Sequence, residues 1–534
     1  MRIRRRTICV TMVLIVLAVV LARLTWPPVA DERHPDQRPD NDGTRAIPLA
    51  TLATSTFLNS EAGVEYVGSQ ACRECHQDEW DSYQLSGMAR SMHTIDGDRD
   101  PAGETFQHEA SGRRFQSLWR DKKMVHREEL VGEDRPVLLA EHQMSYVVGS
   151  GAHFTMYLGE VDGFLVESPL TWYTAKPGWD MSPGYDQPHH LGFQREITTD
   201  CLFCHAGQAS AIDGSYHRIR ITELGISCER CHGPGALHVA QHSSGNAGST
   251  NVDGDHDRTI VNPSRLSRDR ADAVCHQCHL QSRAYVAARG RSLADFRPGL
   301  ALEDFQHYYR STDPRQQMKV VGHTEQMLLS RCHRESKTLT CLTCHNPHVT
   351  LPETERAARH RRTCLTCHDM SACTASTARR QQTRPADNCV TCHMPSVPTN
   401  TLHVAVTHHR IGIHRDENAP SAGTPASEDL EPIHDLSRFS RLDRERSLGL
   451  AYLKRVFQLG IDSSPESRRL WVRSRELLLQ SQNEGLDDPD VDATLAQLLF
   501  PTRPVEAIGF ARAALENPRL DIESRLNALF ALAS

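Results

Sequence analysis

The chain has 534 residues, 60 basic and 67 acidic, for a formal net charge of -7. That balance lacks the global basic field of a nucleic-acid binder, so no nucleic-acid partner is expected. Hydrophobic residues make up only 39%, so either parts of the chain lack a core or something other than side chains fills it.

The N-terminus, "MRIRRRTICVTMVLIVLAVVLARLTWPP", places four arginines before an apolar run from Ile8 to Ala22. Residues 1–30 read as a signal anchor, with cleavage near Ala22 or Ala30 as the alternative. The basic flank stays inside, so the rest of the chain is expected to be periplasmic or otherwise extracytoplasmic, held at the cytoplasmic membrane by this helix. Residues 31–64 are polar and contain proline, and read as a tether.

From residue 65 one pattern dominates. Cys-x-x-Cys-His occurs seven times: Cys72/Cys75/His76, Cys201/Cys204/His205, Cys228/Cys231/His232, Cys275/Cys278/His279, Cys341/Cys344/His345, Cys364/Cys367/His368 and Cys389/Cys392/His393. Composition alone, with 17 cysteines and 30 histidines, gives about 0.03 chance copies. Cysteines at i and i+3 lie on one face of a helical turn, where both can form thioethers to one haem. The histidine at i+4 then becomes the proximal ligand. Zinc knuckles come as paired Cys-x-x-Cys units and do not require that histidine, and disulfides do not require it at all. The pattern therefore implies seven covalently attached haems c, over a domain spanning 65–414. Cys332 and Cys373 match no copy, and their pairing is left open.

The gap between His76 and Cys201 holds short alternating runs broken at "ASGR" and "EVDG", which read as antiparallel hairpins. A small β insertion over about 102–175 is expected there. With 23 further histidines against 12 methionines, bis-histidine ligation is the default for the sixth position. The candidates beside attachment sites are His93, His238, His348, His360, His408, His409 and His414. His348 leaves on the same side as His345, so it can reach only a neighbouring haem. His434 lies in a polar stretch and is not counted among them. The last three motifs follow one another at short intervals, and a compact cluster is expected there.

The segments "YVGSQACRECHQDEWDSYQLSGMARSMH", "SCERCHGPGALH", "LTCLTCHNPH" and "NCVTCHMPSVPTNTLHVAVTHHRI" resemble the multihaem c-type cytochromes related to the tetrahaem cytochrome of nitrifying bacteria. That group is linked to hydroxylamine oxidoreductase and pentahaem nitrite reductase. The resemblance covers about 65–415 and implies closely packed haems in a helical, loop-rich domain, with His348 and His238 as distal ligands to other haems. The chain lacks the Cys-x-x-Cys-Lys site of the nitrite reductases. It has seven motifs where hydroxylamine oxidoreductases have eight, and Tyr308 and Tyr309 of "HYYR" read as packing residues.

Residues 415–435 read as a linker. Residues 436–534 contain no cysteine and show helical periodicity resembling a degenerate tetratricopeptide array, a candidate docking surface for a protein partner. The expected fold class is thus mainly α with extensive loop: a multihaem cytochrome domain, a small antiparallel β insertion and a helical tail. The expected function is electron transfer to a redox partner protein or quinol-linked membrane complex. The alternative is an oxidoreductase acting on a small nitrogen or sulfur oxyanion at one five-coordinate haem; enzymatic activity is left undecided.

Overall fold

The stretch from Glu104 to Met181 forms a run of antiparallel strands joined by links of two to six residues. The computed structural model describes residues 47–101, 103–132, 135–213, 215, 217–243, 252–253, 256–280, 282–312, 322–399, 401–414, 429–460, 464–518 and 520–533. The strands are β1 (Met92–Thr94), β2 (Glu104–His108), β3 (Arg113–Arg120), β4 (Lys123–Leu130), β5 (Val137–Val148), β6 (Phe154–Val161), β7 (Phe164–Tyr173) and β8 (Gly178–Met181). Strands β2 to β8 pair in sequence order, each antiparallel to the next, and β1 pairs with β5. Asp121 and Lys122 link β3 to β4 with φ of 50° and 62°, and Asp162 and Gly163 link β6 to β7 with 52° and 81°. These are the left-handed pairs that match the twist of a hairpin.

Register shifts at Glu128/Glu129 and Met144/Tyr146 bend β4 and β5. The two ends of the sheet then approach one another, and His108 at the end of β2 reaches Asp186 beyond β8 at 3.1 Å. Phe115, Met124, Tyr157, Trp179 and Tyr185 fill the interior.

This nearly closed barrel overturns the expected fold class. Of the described residues, 40% are helical and 21% lie in strands, so the protein is not mainly α with a small β insertion. The alternating runs were legible as hairpins. Their closure into one sheet with its own core depends on the distant β2 and β8.

The barrel encloses His126, whose Nδ1 is 2.7 Å from Ser168 Oγ and whose ring is 5.2 Å from Trp179. Its side chain is fully buried, and burial pushes its pKa down to about 3. An unfolded histidine titrates near 6.5, so the neutral form is favoured by folding. The contribution of His126 to barrel stability is therefore fully present above about pH 6.5. It falls as the pH drops towards 3, by up to about 1.4 kcal/mol per pH unit from this group. Thermal melting followed by amide infrared absorption should show the barrel weaker at pH 5 than at pH 7. His126→Gln should reduce that difference.

The C-terminal helices are Arg441–Leu459, Pro465–Asn483, Pro489–Leu499, Pro504–Glu516 and Ile522–Ala533. Ser440, Ser464 and Asp488 cap the first three through side-chain oxygens, and three helices begin on proline. Gly449 lets the first two approach closely, since a Cβ there would sit 2.9 Å from Leu478. Arg446 and Asp488, both 1% exposed, pair at 2.8 Å. Arg446 also donates to the Ala287 carbonyl at 2.6 Å, tying the helices to strand Ala284–Ala287.

That strand pairs with Gln306–Ser311, which pairs in turn with Leu430–Pro432. Leu442, Tyr452, Leu470 and Leu478 share one core with Ala284, Val286 and Tyr309. Residues 47–534 form one compact unit. The expected anchor and residues 31–46 of the expected tether lie outside the described residues, as do 415–428 of the expected linker. Among the described residues, no helix is long and apolar enough to cross a membrane.

Candidate functional site

Each Cys-x-x-Cys-His copy folds locally as one helical turn. The amides of His76, His345 and His368 each donate 3.0 Å to the carbonyl of the first cysteine, which puts both thiols and the imidazole on one side. No disulfide joins any of the sixteen described cysteines. Cys332 and Cys373 are therefore not paired: Cys332 lies near Cys344 and Cys364, and Cys373 near Cys389.

Numbered in chain order, the sites touch one another. Sites 1 and 3 meet where the Cys72 and Cys228 thiols lie beside one another, and Ser69 Oγ accepts from the Cys228 amide at 3.1 Å. The Glu229 carboxylate accepts from the amides of Val67, Gly68 and Gly235 at 2.7–2.9 Å, pinning site 3 to the chain entering site 1. Site 2 lies against site 4, where the Cys204 thiol neighbours that of Cys278 and donates to the Gln277 carbonyl at 3.9 Å. Gln277 in turn donates to the Arg230 carbonyl of site 3 at 3.1 Å. Sites 4 and 5 meet through the Cys275 and Cys341 thiols, and Asp272 accepts from the Cys341 amide at 3.0 Å. Asp387 then pairs with Arg361 at 3.0 Å and with Arg380 at 2.9 Å, bracing the turns of sites 6 and 7.

At sites 6 and 7 the attachment cysteines are unevenly covered. The first cysteines, Cys364 and Cys389, lie near one another and are partly covered. The second cysteines, Cys367 and Cys392, are instead exposed, as are Cys75 of site 1 and Cys201 of site 2. Cys367 Sγ lies 3.8 Å from the hydroxyl of its chain neighbour Thr366. The reason is the thin protein packing here. Helix Glu353–Cys364 buries only Ala357 and helix Cys389–His393 buries no residue, so side chains cover one edge of each turn and leave its second thiol on the surface.

Imidazoles stand opposite four of the motif histidines. Ring centroids are 6.2 Å apart for His76 and His238, 5.9 Å for His232 and His348, 5.8 Å for His279 and His323, and 6.2 Å for His345 and His409. Two imidazoles bound to one metal from opposite sides, with bonds of about 2.0–2.1 Å each, place their ring centres about 6 Å apart. His360 also lies 5.9 Å from His345.

The other candidates are placed differently. His93 sits 3.6 Å from Asp100. His408 packs on His414 at 5.0 Å, and His414 Nε2 bonds the carbonyls of Arg410 and His393 at 2.9 and 3.2 Å. Sequence reasoning missed His323, which has no attachment motif beside it and meets His279 only through the fold. It also set aside His434, which is buried against His276, the residue after Cys275, with centroids 5.8 Å apart.

The donor set suits a metal-bearing planar group. Burial lowers the pKa of His205, His232, His279 and His345, favouring the neutral imidazole that ligates metal. Across residues 331–398 only His333 and Ala357 are buried, so sites 5 to 7 have room for such a group. A cavity of about 350 Å³ opens on Cys228, lined also by Ser69, Trp80 and Tyr83. Separately, His238, His242 and Asp257 bring three ligand atoms within 4.8 Å of one another. The Asp257 carboxyl is raised by burial, but hydrogen bonds from Thr259, His242 and His238 outweigh this and hold it at about 2.

Residues 184–233, which contain sites 2 and 3, match the family described as "Cytochrome c554 and c-prime". A curated relative, the "Multiheme cytochrome MtrA" of Shewanella baltica (strain OS185), is 26% identical over 177 residues, covering 29% of this chain. The chain spans about half of that relative, 47% of its length. No solved structure matches the chain.

Proposed function

We propose that the chain is a multihaem c-type cytochrome that carries electrons outside the cytoplasm, with one haem c attached at each of its seven Cys-x-x-Cys-His turns. The observation that carries this reading is the set of imidazoles facing His76, His232, His279 and His345 at 5.8–6.2 Å. The similarity to a multihaem cytochrome and to the c554 family supports it. When bound, haem supplies reversible one-electron chemistry, at potentials that bis-histidine ligation keeps low.

The chain would hold these groups covalently and close together, with His238, His348, His323 and His409 available as second imidazoles at four sites. His93 is the candidate for site 2, because Ser91, two residues away, donates to the His205 carbonyl at 2.7 Å. His408 and His414 lie beside site 7. In this reading residues 1–30 anchor the protein and 31–64 tether it. The cytochrome domain is 65–414 and belongs with the nitrifier tetrahaem and hydroxylamine oxidoreductase group. A tetratricopeptide-like tail, 436–534, docks a redox partner.

A pyridine haemochrome assay with intact mass spectrometry tests the reading. Seven covalent haems per chain are expected, those on the surface thiols Cys367 and Cys392 included. A mass equal to the bare polypeptide, with zinc recovered in its place, would overturn it.

A further inference from the structure

At site 1 a carboxylate grips the imidazole that faces His76. His238 lies in helix Ala236–Ser243, and its Nδ1 is 2.7 Å from Asp257 Oδ2. Asp257 is delivered by a short hairpin in which Val252–Asp253 pairs with His256–Asp257. The carboxylate is itself fixed: Oδ1 accepts from the Thr259 amide at 2.7 Å and from the Thr259 hydroxyl, and Oδ2 also meets His242 Nε2 at 2.9 Å. Other imidazoles of the array give Nδ1 to neutral acceptors instead. His232 bonds the Val261 carbonyl at 2.8 Å, His393 the Gly412 carbonyl at 3.0 Å and His409 the Thr407 carbonyl at 2.9 Å.

A carboxylate at Nδ1 keeps the proton there and leaves Nε2 as the nitrogen able to ligate. It also makes the ring a stronger donor than a carbonyl acceptor does. A stronger donor favours the ferric over the ferrous state of whatever iron it binds.

We propose that Asp257 is a positioning residue for site 1, locking His238 in the ligating tautomer and lowering the reduction potential of the group held between His76 and His238. The inference rests on the haem reading of the site. The same three groups, His238, His242 and Asp257, could instead grip a divalent cation, and the test separates the two.

The holoprotein is compared with Asp257→Asn, Asp257→Glu, Thr259→Ala and His242→Ala, by intact mass, potentiometric titration and low-temperature EPR. All five should carry the same number of haems. In Asp257→Asn one midpoint should rise by about 59 mV, a tenfold change in the ferric-to-ferrous ratio of a one-electron couple, with a shift of one low-spin EPR signal. Glu should restore most of the change, while Thr259→Ala and His242→Ala, each of which removes one bond holding the carboxylate, should each give a smaller rise in the same direction. Unmoved midpoints in fully loaded Asp257→Asn and Thr259→Ala would overturn the inference. So would one equivalent of Zn²⁺ bound tightly by the wild-type holoprotein and lost equally in Asp257→Asn and His242→Ala. Absence of thioethers at Cys72 and Cys75 would instead sink the haem reading and be visible in the mass alone.

Discussion

Protein produced without haem attachment is expected to be cut rapidly by trypsin between Arg356 and Arg384, while the barrel and the C-terminal helices resist. The unequal response follows from where protein packs on protein. The barrel buries Phe115, Met124, Tyr157, Leu170 and Tyr185 against one another, and the C-terminal helices bury Tyr452, Leu470, Leu478, Leu495 and Leu499. Fully burying one such side chain is worth about 1.5–3 kcal/mol, enough collectively to offset the entropy of ordering these parts. Residues 331–398 bury only His333 and Ala357, and their helices are short. Glu353–Cys364, with four arginines, has one buried residue, Ala357. An isolated helix of that length is marginal in water. Seven thioether-bound haems would supply the missing apolar surface, so cleavage should be on the order of 100-fold slower in the holoprotein, about 2.7 kcal/mol of local protection. Equal resistance with and without haem would mean that protein packing alone holds this region.

The attachment turns were legible because the device is local: two thiols and an imidazole within five residues need only one helical turn. How well each thiol is covered is not local. Cys367 and Cys392 share the motif spacing of Cys231 and Cys278 yet lie on the surface, as do Cys75 and Cys201, because coverage depends on which distant side chains reach each turn, and the helices at sites 6 and 7 bury only Ala357. The hairpin breaks at "ASGR" and "EVDG" were legible, since Asp162 and Gly163 adopt the left-handed pair wherever such a turn forms. Barrel closure was not, because β2 and β8 approach across more than seventy residues and no local pattern encodes that. The opposed imidazoles divide along the same line. His348, three residues past His345, leaves on the wrong side for its own site, and the fold carries it to His232. His323 and His279 are 44 residues apart with no shared motif, so only tertiary structure brings them within 5.8 Å. His434 sits in a polar stretch, yet its ring is buried beside Tyr308 and His276, because the strand before it pairs with Gln306–Ser311. Asp257 escaped notice because its value lies in one hydrogen bond, 19 residues from its partner.

Replacing His409 by alanine in the holoprotein is expected to produce one high-spin ferric EPR signal per chain with all seven haems retained, whereas His360→Ala should produce none. Both rings lie about one metal-spanning distance from His345, at 6.2 and 5.9 Å, so separation alone does not choose between them. The other ring nitrogen does. A metal-bound histidine almost always gives its second nitrogen to an acceptor that fixes the tautomer, and His409 Nδ1 lies 2.9 Å from the Thr407 carbonyl. Burial lowers the His409 pKa to about 4, so it is neutral at pH 7 and free to ligate. His360 belongs to a helix whose neighbouring Arg356 and Arg359 face the same ring, and it is less buried. The iron at site 5 should therefore lose its sixth ligand only when His409 is removed. Its midpoint should then rise, as stabilisation of the ferric state by the second imidazole is lost. A high-spin signal in His360→Ala with none in His409→Ala would reverse the assignment and route site 5 through the helix that leads into site 6.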